Sequence, residues 1–138
     1  MKSNPSKKLH GYYKKATKLQ HAQEYDQAIS YFDKIIEINP LYYTGLTGKA
    51  RAFYYLGKFN EALIWIDKAL EAGIQLHFQQ PYPITLAQKS HILAKLERFD
   101  EAFSCINKAL RINPDCEHVQ KAKKFVIKEF KKLNGGSQ

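Results

Sequence analysis

The chain has 138 residues, 44% of them hydrophobic and 25% charged, a composition typical of soluble globular domains and long enough for one buried core. No apolar run reaches the ~18–20 residues that cross a bilayer, and no apolar stretch follows the N-terminal lysines, so the predicted location is the cytoplasm, without a membrane span. The net charge is +9, and the excess of lysine lies at the two ends, in residues 1–8 and 117–138.

The chain begins with a polar, basic segment over residues 1–8 that is predicted to be disordered. Apolar residues at helical spacing then predict seven helices. Gly57 is suited to the left-handed conformation that ends a helix, and Asn39-Pro40 is a stop signal. The helices are predicted over about residues 7–23, 26–38, 41–56, 60–72, 84–96, 100–112 and 117–133, followed by a disordered tail over 134–138.

One four-residue pattern occurs three times, at the start of the second, fourth and sixth predicted helices. It reads Tyr25-Asp26-Gln27-Ala28, Phe59-Asn60-Glu61-Ala62 and Phe99-Asp100-Glu101-Ala102. The alanines are 34 and then 40 residues apart, and twelve residues before them stand Ala16, Ala50 and Ser90. Such small residues let two helix backbones approach closely. The second residues of the pattern are predicted to be the N-caps of the helices that follow.

In this register the sequence resembles the tetratricopeptide repeat (TPR) family, whose unit is a helix–turn–helix of about 34 residues. The resemblance implies an all-α fold, a right-handed TPR superhelix of three repeats closed by a seventh, C-terminal capping helix. The repeats are predicted over about residues 9–42, 43–76 and 83–116, and the capping helix over about 117–133, within a single domain spanning 9–133. The apolar stripe of that last helix, expected to cover the third repeat, is Val119, Ala122, Val126 and Phe130.

The six extra residues between the second and third copies lie within 73–82. Gly73 is expected to end the fourth helix, and Pro81 and Pro83 prevent a continuous helix into the third repeat. Three interpretations stay open for this insert: a structural filler, a ligand-contacting element, or an extension of the fourth helix by one or two turns.

The resemblance implies a protein-interaction module, a scaffold that binds a peptide or partner segment in a concave groove lined by the first helix of each repeat. The groove residues expected to contact the partner are Tyr13, Thr17, Gln20, Thr47, Arg51, Tyr54, His91 and Lys95. Tyr54 and Tyr55 are adjacent in one helix, so only one of them can face the groove. Tyrosines beside basic residues favour an extended and acidic peptide.

One TPR subclass holds the acidic tail of heat-shock chaperones with a two-carboxylate clamp of lysines and asparagines, and that clamp is not expected here. The positions where the pattern needs lysine, asparagine, asparagine, lysine and arginine hold Tyr13, Thr17, Gly48, Ile84 and Gln88. None matches.

The sequence contains no catalytic motif, and its scattered histidines and two cysteines, Cys105 and Cys116, lack metal-ligand spacing. Neither enzymatic activity nor a metal or cofactor is therefore expected. The main alternative function is binding of nucleic acid or an anionic surface through the basic ends, with nucleic acid the less expected partner. Self-association into a homo-oligomer through the end faces of the array is compatible with either function.

Overall fold

The computed structural model describes residues 4–135, in which seven α-helices and no β-strand are present. The all-α prediction is confirmed. The helices are α1 (Pro5–His21), α2 (Tyr25–Ile38), α3 (Tyr43–Tyr55), α4 (Phe59–Gln75), α5 (Pro83–Lys95), α6 (Phe99–Ile112) and α7 (Glu117–Leu133).

The helices form two compact units, Met1–Leu76 and His77–Gln138. The first unit contains the hairpins α1–α2 and α3–α4, and the second contains the hairpin α5–α6 with α7 packed on both of its helices. The boundary lies within the insert predicted over residues 73–82. The single domain over 9–133 stays a prediction.

The first unit is built around small residues at the helix crossings. Ala16, Ala28 and Ala50, which the repeat register singled out, are fully buried, and their size lets the helix backbones approach closely. Phe32 and Ile35 of α2 pack in the same core and are almost completely buried. Burial of side chains of this size contributes roughly 1.5–3 kcal/mol each, so these contacts are a large part of what holds the first two hairpins together.

A buried lysine links α3 to the helices on either side. Lys49 is only 8% exposed and forms an ion pair with Asp33 of α2. Its Nζ also lies 3.6 Å from the ring centroid of Trp65 on α4. These two contacts compensate a charge that would be costly to bury alone.

In the second unit α7 covers the third hairpin. Val119, Ala122 and Val126 are fully buried, as their helical spacing predicted. Phe130 is 42% exposed, and its ring packs edge-on against Phe99 at a centroid distance of 5.3 Å. The apolar stripe therefore closes the hairpin, with its last member at the edge of the contact.

An ion pair fastens α7 to α5. Lys95 Nζ donates a hydrogen bond to Glu129 Oε1 at 3.1 Å, and Lys132 Nζ lies 3.7 Å from the other carboxylate oxygen. The hydrogen bond from Lys95 and the nearby positive charges hold the pKa of the Glu129 carboxyl below its usual range, against a smaller opposing effect of desolvation. The ionised form of Glu129 is thus the one that the fold favours.

The predicted N-caps are wrong by two residues. Helices α2, α4 and α6 begin at the aromatic residue of the repeated pattern, which places Asp26, Asn60 and Asp100 inside the first turn. The cap residues are Glu24, Lys58 and Arg98, none of which makes a side-chain cap hydrogen bond. The two aspartates still stabilise α2 and α6, because a negative charge in the first turn interacts favourably with the helix dipole.

Three predicted boundaries also differ. Helix α1 begins at Pro5, capped by the Asn4 side chain, which accepts a hydrogen bond from the Ser6 N–H, so residues 5–8 are helical and not disordered. Gly73 is buried inside α4, which extends to Gln75, three residues beyond the predicted end and less than the one or two turns considered; the role of the rest of the insert stays open. In the predicted tail, residues 134–135 form a turn after α7; residues 1–3 and 136–138 lie outside the described part.

The turn inside each hairpin uses one left-handed residue at the same place in the repeat. Gly57 has φ +76°, as predicted, and the equivalent residues Gln23 and Glu97 have φ +62° and +60°. The register therefore sets the conformation of the turn even where the residue is not glycine.

Candidate functional site

A cleft of about 530 Å³ lies between α1 and α3 in the first unit, with residues of α2 at its floor and one end. Its lining combines hydroxyl, amide, aromatic and basic side chains. The residues that line it are Tyr13, Thr17, Gln20, His21, Gln23, Tyr25, Phe32, Thr44, Thr47, Gly48, Arg51 and Tyr55.

A hydrogen bond joins the two walls of the cleft. Gln20 Nε2 on α1 donates to the backbone carbonyl of Gly48 on α3 at 3.2 Å. Thr17 and Thr47 satisfy their hydroxyl protons within their own helices, donating to the carbonyls of Tyr13 (2.8 Å) and Thr44 (3.3 Å). Since each hydroxyl oxygen also has acceptor capacity, both walls can accept hydrogen bonds from the backbone N–H groups of a ligand.

The floor of the cleft requires glycine at position 48. A Cβ atom placed there would lie 2.5 Å from Cε1 of Phe32, and Phe32 is 1% exposed and cannot easily move. The absence of a side chain at Gly48 lets α3 approach α2 and keeps the cleft open above the phenyl ring.

Paired tyrosine rings stand at both ends. Tyr25 and Tyr55 are stacked at 5.3 Å with an interplanar angle of 17°. Tyr13 meets Tyr42 edge-on at 6.4 Å. Rings fixed by such contacts offer rigid surface to a ligand at small entropic cost.

The charge of the cleft is positive. Arg51 is exposed and carries its permanent charge at the lining. No acidic side chain occurs among the described lining residues. This arrangement favours a ligand with carboxylate groups, which arginine binds through two parallel hydrogen bonds.

Five of the eight residues predicted for the groove are brought together here: Tyr13, Thr17, Gln20, Thr47 and Arg51. Of the two adjacent tyrosines on α3, Tyr55 lines the cleft and Tyr54 does not. Tyr55 follows Gly48 and Arg51 by seven and four residues, which keeps it on the same helix face. The Tyr54 ring is outside the lining and packs edge-on against Phe59 and Tyr55, each at 5.5 Å.

The other two predicted residues, His91 and Lys95, lie in the second unit, where both contact α7. The His91 ring stacks on Phe125 at 4.6 Å, and Lys95 forms the ion pair with Glu129. Their described contacts fasten the last helix to α5, a role that helical spacing alone did not distinguish from ligand contact.

Sequence reasoning missed Tyr25 and Phe32 as lining residues, because it considered only the first helix of each repeat. It also missed Gln23, which lies in the left-handed turn after α1 and not in the helix predicted over 7–23. A signal was available for Tyr25, which is the aromatic member of the repeated pattern and begins α2 directly after the turn. Phe32 could have been suspected from the glycine that faces it on α3.

Helical hairpins that recur in one sequence register define a helical-repeat protein. A sequence model of the tetratricopeptide repeat family matches residues 9–40 and 85–116. These two segments match TPR units, and the seven helices of the described residues are consistent with three TPR repeats and a capping helix.

Two known proteins are similar in sequence to segments of this chain. An uncharacterized protein of Methanocaldococcus jannaschii is 39% identical over 56 residues, which cover 41% of this chain and 65% of that protein. The Hsp70-Hsp90 organizing protein of Triticum aestivum is 30% identical over 113 residues, 74% of this chain but 19% of that protein. The chain therefore spans less than two thirds of either relative.

Among solved structures, the first TPR of Spaghetti (RPAP3), bound to the HSP90 peptide SRMEEVD, is similar in fold. Its TM-score is 0.77 at 20% identity, over 89% of this chain and 93% of that one. At this identity the likeness concerns the fold alone.

None of the helices in residues 4–135 combines the length and apolar character that crossing a membrane requires. In the same residues no three His, Cys, Asp or Glu side chains are grouped as a metal site would need.

Proposed function

We propose that this chain is a protein-interaction module whose α1–α3 cleft binds an extended, acidic segment of a partner protein. The observation that carries the proposal is the lining of the cleft, in which tyrosine rings, hydroxyl and amide groups and Arg51 occur with no acidic residue among the described positions. The proposed activity is binding without catalysis, which is typical of the family.

The dimensions suit a short stretch of extended chain. The lining runs from Tyr13 to His21 on α1 and from Thr44 to Tyr55 on α3, about 12 Å and about 16 Å at a helical rise of about 1.5 Å per residue. An extended peptide advances about 3.3 Å per residue, so roughly four or five residues fit. The volume of about 530 Å³ lies in the range of known ligand sites, roughly 300–1,000 Å³.

The relatives support the class of ligand but not its mode of attachment. The RPAP3 domain is bound to SRMEEVD, an acidic peptide, and the wheat relative is an Hsp70-Hsp90 organizing protein. In this chain the clamp positions in the cleft hold Tyr13, Thr17 and Gly48, which cannot grip a carboxylate as lysine and asparagine do. We therefore assign the acidic side chains of the ligand to Arg51.

A titration of fluorescently labelled SRMEEVD, followed by anisotropy, tests this proposal. Arg51→Ala is expected to weaken binding by about 10- to 100-fold, since a hydrogen bond to a charged group contributes about 1.5–3 kcal/mol. The matched control is Arg111→Ala, which removes an exposed arginine from α6 in the second unit and is expected to leave the affinity unchanged. Equal losses in the two variants, or no loss in either, would contradict the assignment of Arg51.

Modified peptides separate the proposed mode from a clamp. Replacing both glutamates of the peptide by glutamine is expected to weaken binding about as much as Arg51→Ala does, whereas amidating the C-terminus is expected to change it little. A peptide that loses all binding on amidation but tolerates glutamine is held by its terminal carboxylate, and the role given to Arg51 is then wrong.

Two narrower predictions from the sequence stay predictions. The cytoplasm is the proposed compartment for this interaction. Self-association is proposed as an accompanying property, and light scattering that shows only a monomer over a wide range of protein concentration would remove it.

A further inference from the structure

The outer face of α1 carries a row of lysines that peptide binding in the cleft does not use. At about 100° of rotation per residue, all five lysines of the helix fall within one arc of about 120°, and α1 contains no acidic residue. The opposite side carries Leu9 and Ala16, which are buried, while the cleft residues occupy the side between. We name this row the α1 lysine face; it consists of Lys7, Lys8, Lys14, Lys15 and Lys18.

The charge of this face is not neutralised by its surroundings. None of the five lysines forms an ion pair with another described residue. Of the three acidic residues of the adjacent α2, Asp33 forms an ion pair with Lys49, and no described ion pair joins Asp26 or Glu37 to a lysine of α1. The α1 lysine face therefore presents uncompensated ammonium groups to the solvent.

A pair of tyrosines holds two ammonium groups in place at the edge of this face. Tyr12 of α1 and Tyr31 of α2 have ring centroids 6.0 Å apart. Lys34 Nζ lies 4.7 Å from the centre of the Tyr31 ring, and Lys15 Nζ lies 5.6 Å from it. Cation–π contacts of this kind restrict otherwise flexible side chains, so less entropy is lost when an anion binds them.

The geometry points to the phosphate backbone of a nucleic acid as the partner of the α1 lysine face. From Lys7 to Lys18 the row is about 16 Å long, and duplex DNA presents one negative charge per about 1.7 Å of its axis. A helix that binds membranes inserts its apolar side, but the apolar side of α1 is buried, and no large apolar residue of the described α1 is exposed. Recognition through phosphates alone is independent of base sequence.

The test is a titration of the protein with a DNA duplex of about 20 base pairs at several salt concentrations between about 50 and 200 mM. Three to five phosphate contacts give a slope of about −2.7 to −4.5 when the logarithm of the association constant is plotted against the logarithm of the salt concentration. In the triple variant Lys7→Gln, Lys14→Gln, Lys18→Gln the slope is expected to flatten by about 2.7. The matched control, Lys124→Gln, Lys128→Gln, Lys131→Gln, removes the same charge from exposed lysines of α7 that also lack a described ion pair, and it is expected to keep the wild-type slope.

Three results would overturn the inference. Absence of duplex binding at the lowest salt excludes it. An equal change in the two triple variants shows attraction by net charge without a site on α1. Binding to vesicles containing phosphatidylserine, lost in the α1 variant and accompanied by no duplex binding, assigns the face to membranes. Thermal melting of both variants serves as the folding control, since lysine and glutamine have similar helix propensities. The inference does not depend on the proposed peptide site, and Arg51→Ala is expected to leave duplex binding unchanged.

Discussion

The same substitution, glycine to alanine, is expected to have opposite effects at two positions of the first unit. In Gly11→Ala the new methyl group meets nothing within 4 Å, so the helix gains about 0.8–1.0 kcal/mol of intrinsic propensity. In Gly48→Ala the methyl group would lie 2.5 Å from Cε1 of the buried Phe32, which adds an overpacking cost of about 1–3 kcal/mol. The propensity gain is common to both variants and cancels in their difference, so Gly48→Ala should be less stable than Gly11→Ala by about 1–3 kcal/mol.

Urea unfolding followed by circular dichroism measures this difference, provided that the slope of the free energy against denaturant is the same for both variants. Trp65, the single tryptophan of the chain, reports on the same unit by fluorescence. If Gly48→Ala is as stable as Gly11→Ala, Phe32 does not pack against the backbone at position 48, and the floor assigned to the cleft is wrong.

Two further predictions concern α7. Val126 is fully buried, so Val126→Ala should lower the free energy of unfolding by about 2–3 kcal/mol, while Lys124→Ala on the exposed side should stay within about 0.5 kcal/mol of wild type; equal losses would show that α7 does not cover the hairpin. The pKa of Glu129 is lowered in the folded state, so the unfolded chain binds more protons at low pH. The contribution of Glu129 to the free energy of unfolding is therefore complete above about pH 4.3. It is lost as the pH falls through the lowered pKa of the folded state. Glu129→Gln should reduce the change in the free energy of unfolding over this pH range by less than about 1 kcal/mol. If the pH dependence is unchanged, the ion pair with Lys95 does not stabilise the folded state.

Most of the fold could be predicted from the repeat register, because the small residues that it aligned are the ones buried where helices cross. Ala16, Ala50 and Ser90 are all completely buried, and the hydroxyl of Ser90 donates to the carbonyl of Ala87 at 2.7 Å. A polar residue at a position of alanine in the other copies is thus accommodated without an unsatisfied donor. Periodicity reveals such positions because burial at a crossing limits the size of the side chain.

The ends of the helices were less predictable. An aspartate or asparagine before a helix is the usual N-cap signal, but here the aromatic residue before it is already helical, and Asp26 lies in the first turn. Gly73 resembled a terminator in the same way, yet it lies buried within α4. In both cases packing of the hairpin determined the boundary, and local residue preference did not.

The candidate site was predicted in part. Helical spacing found Thr17, Gln20 and Arg51, because residues three and four apart share a face. It could not choose between adjacent tyrosines, nor could it show that α7 contacts His91 and Lys95, since that contact depends on where the last helix packs.

The central claim is that the cleft between α1 and α3 binds an acidic peptide. Its most direct test is the backbone amide spectrum of the isotopically labelled chain, recorded by NMR during a titration with SRMEEVD. The amide shifts are expected to concentrate at Thr17, Gln20, Thr47 and Arg51. Shifts confined to residues of the second unit, or to the α1 lysine face, would contradict it.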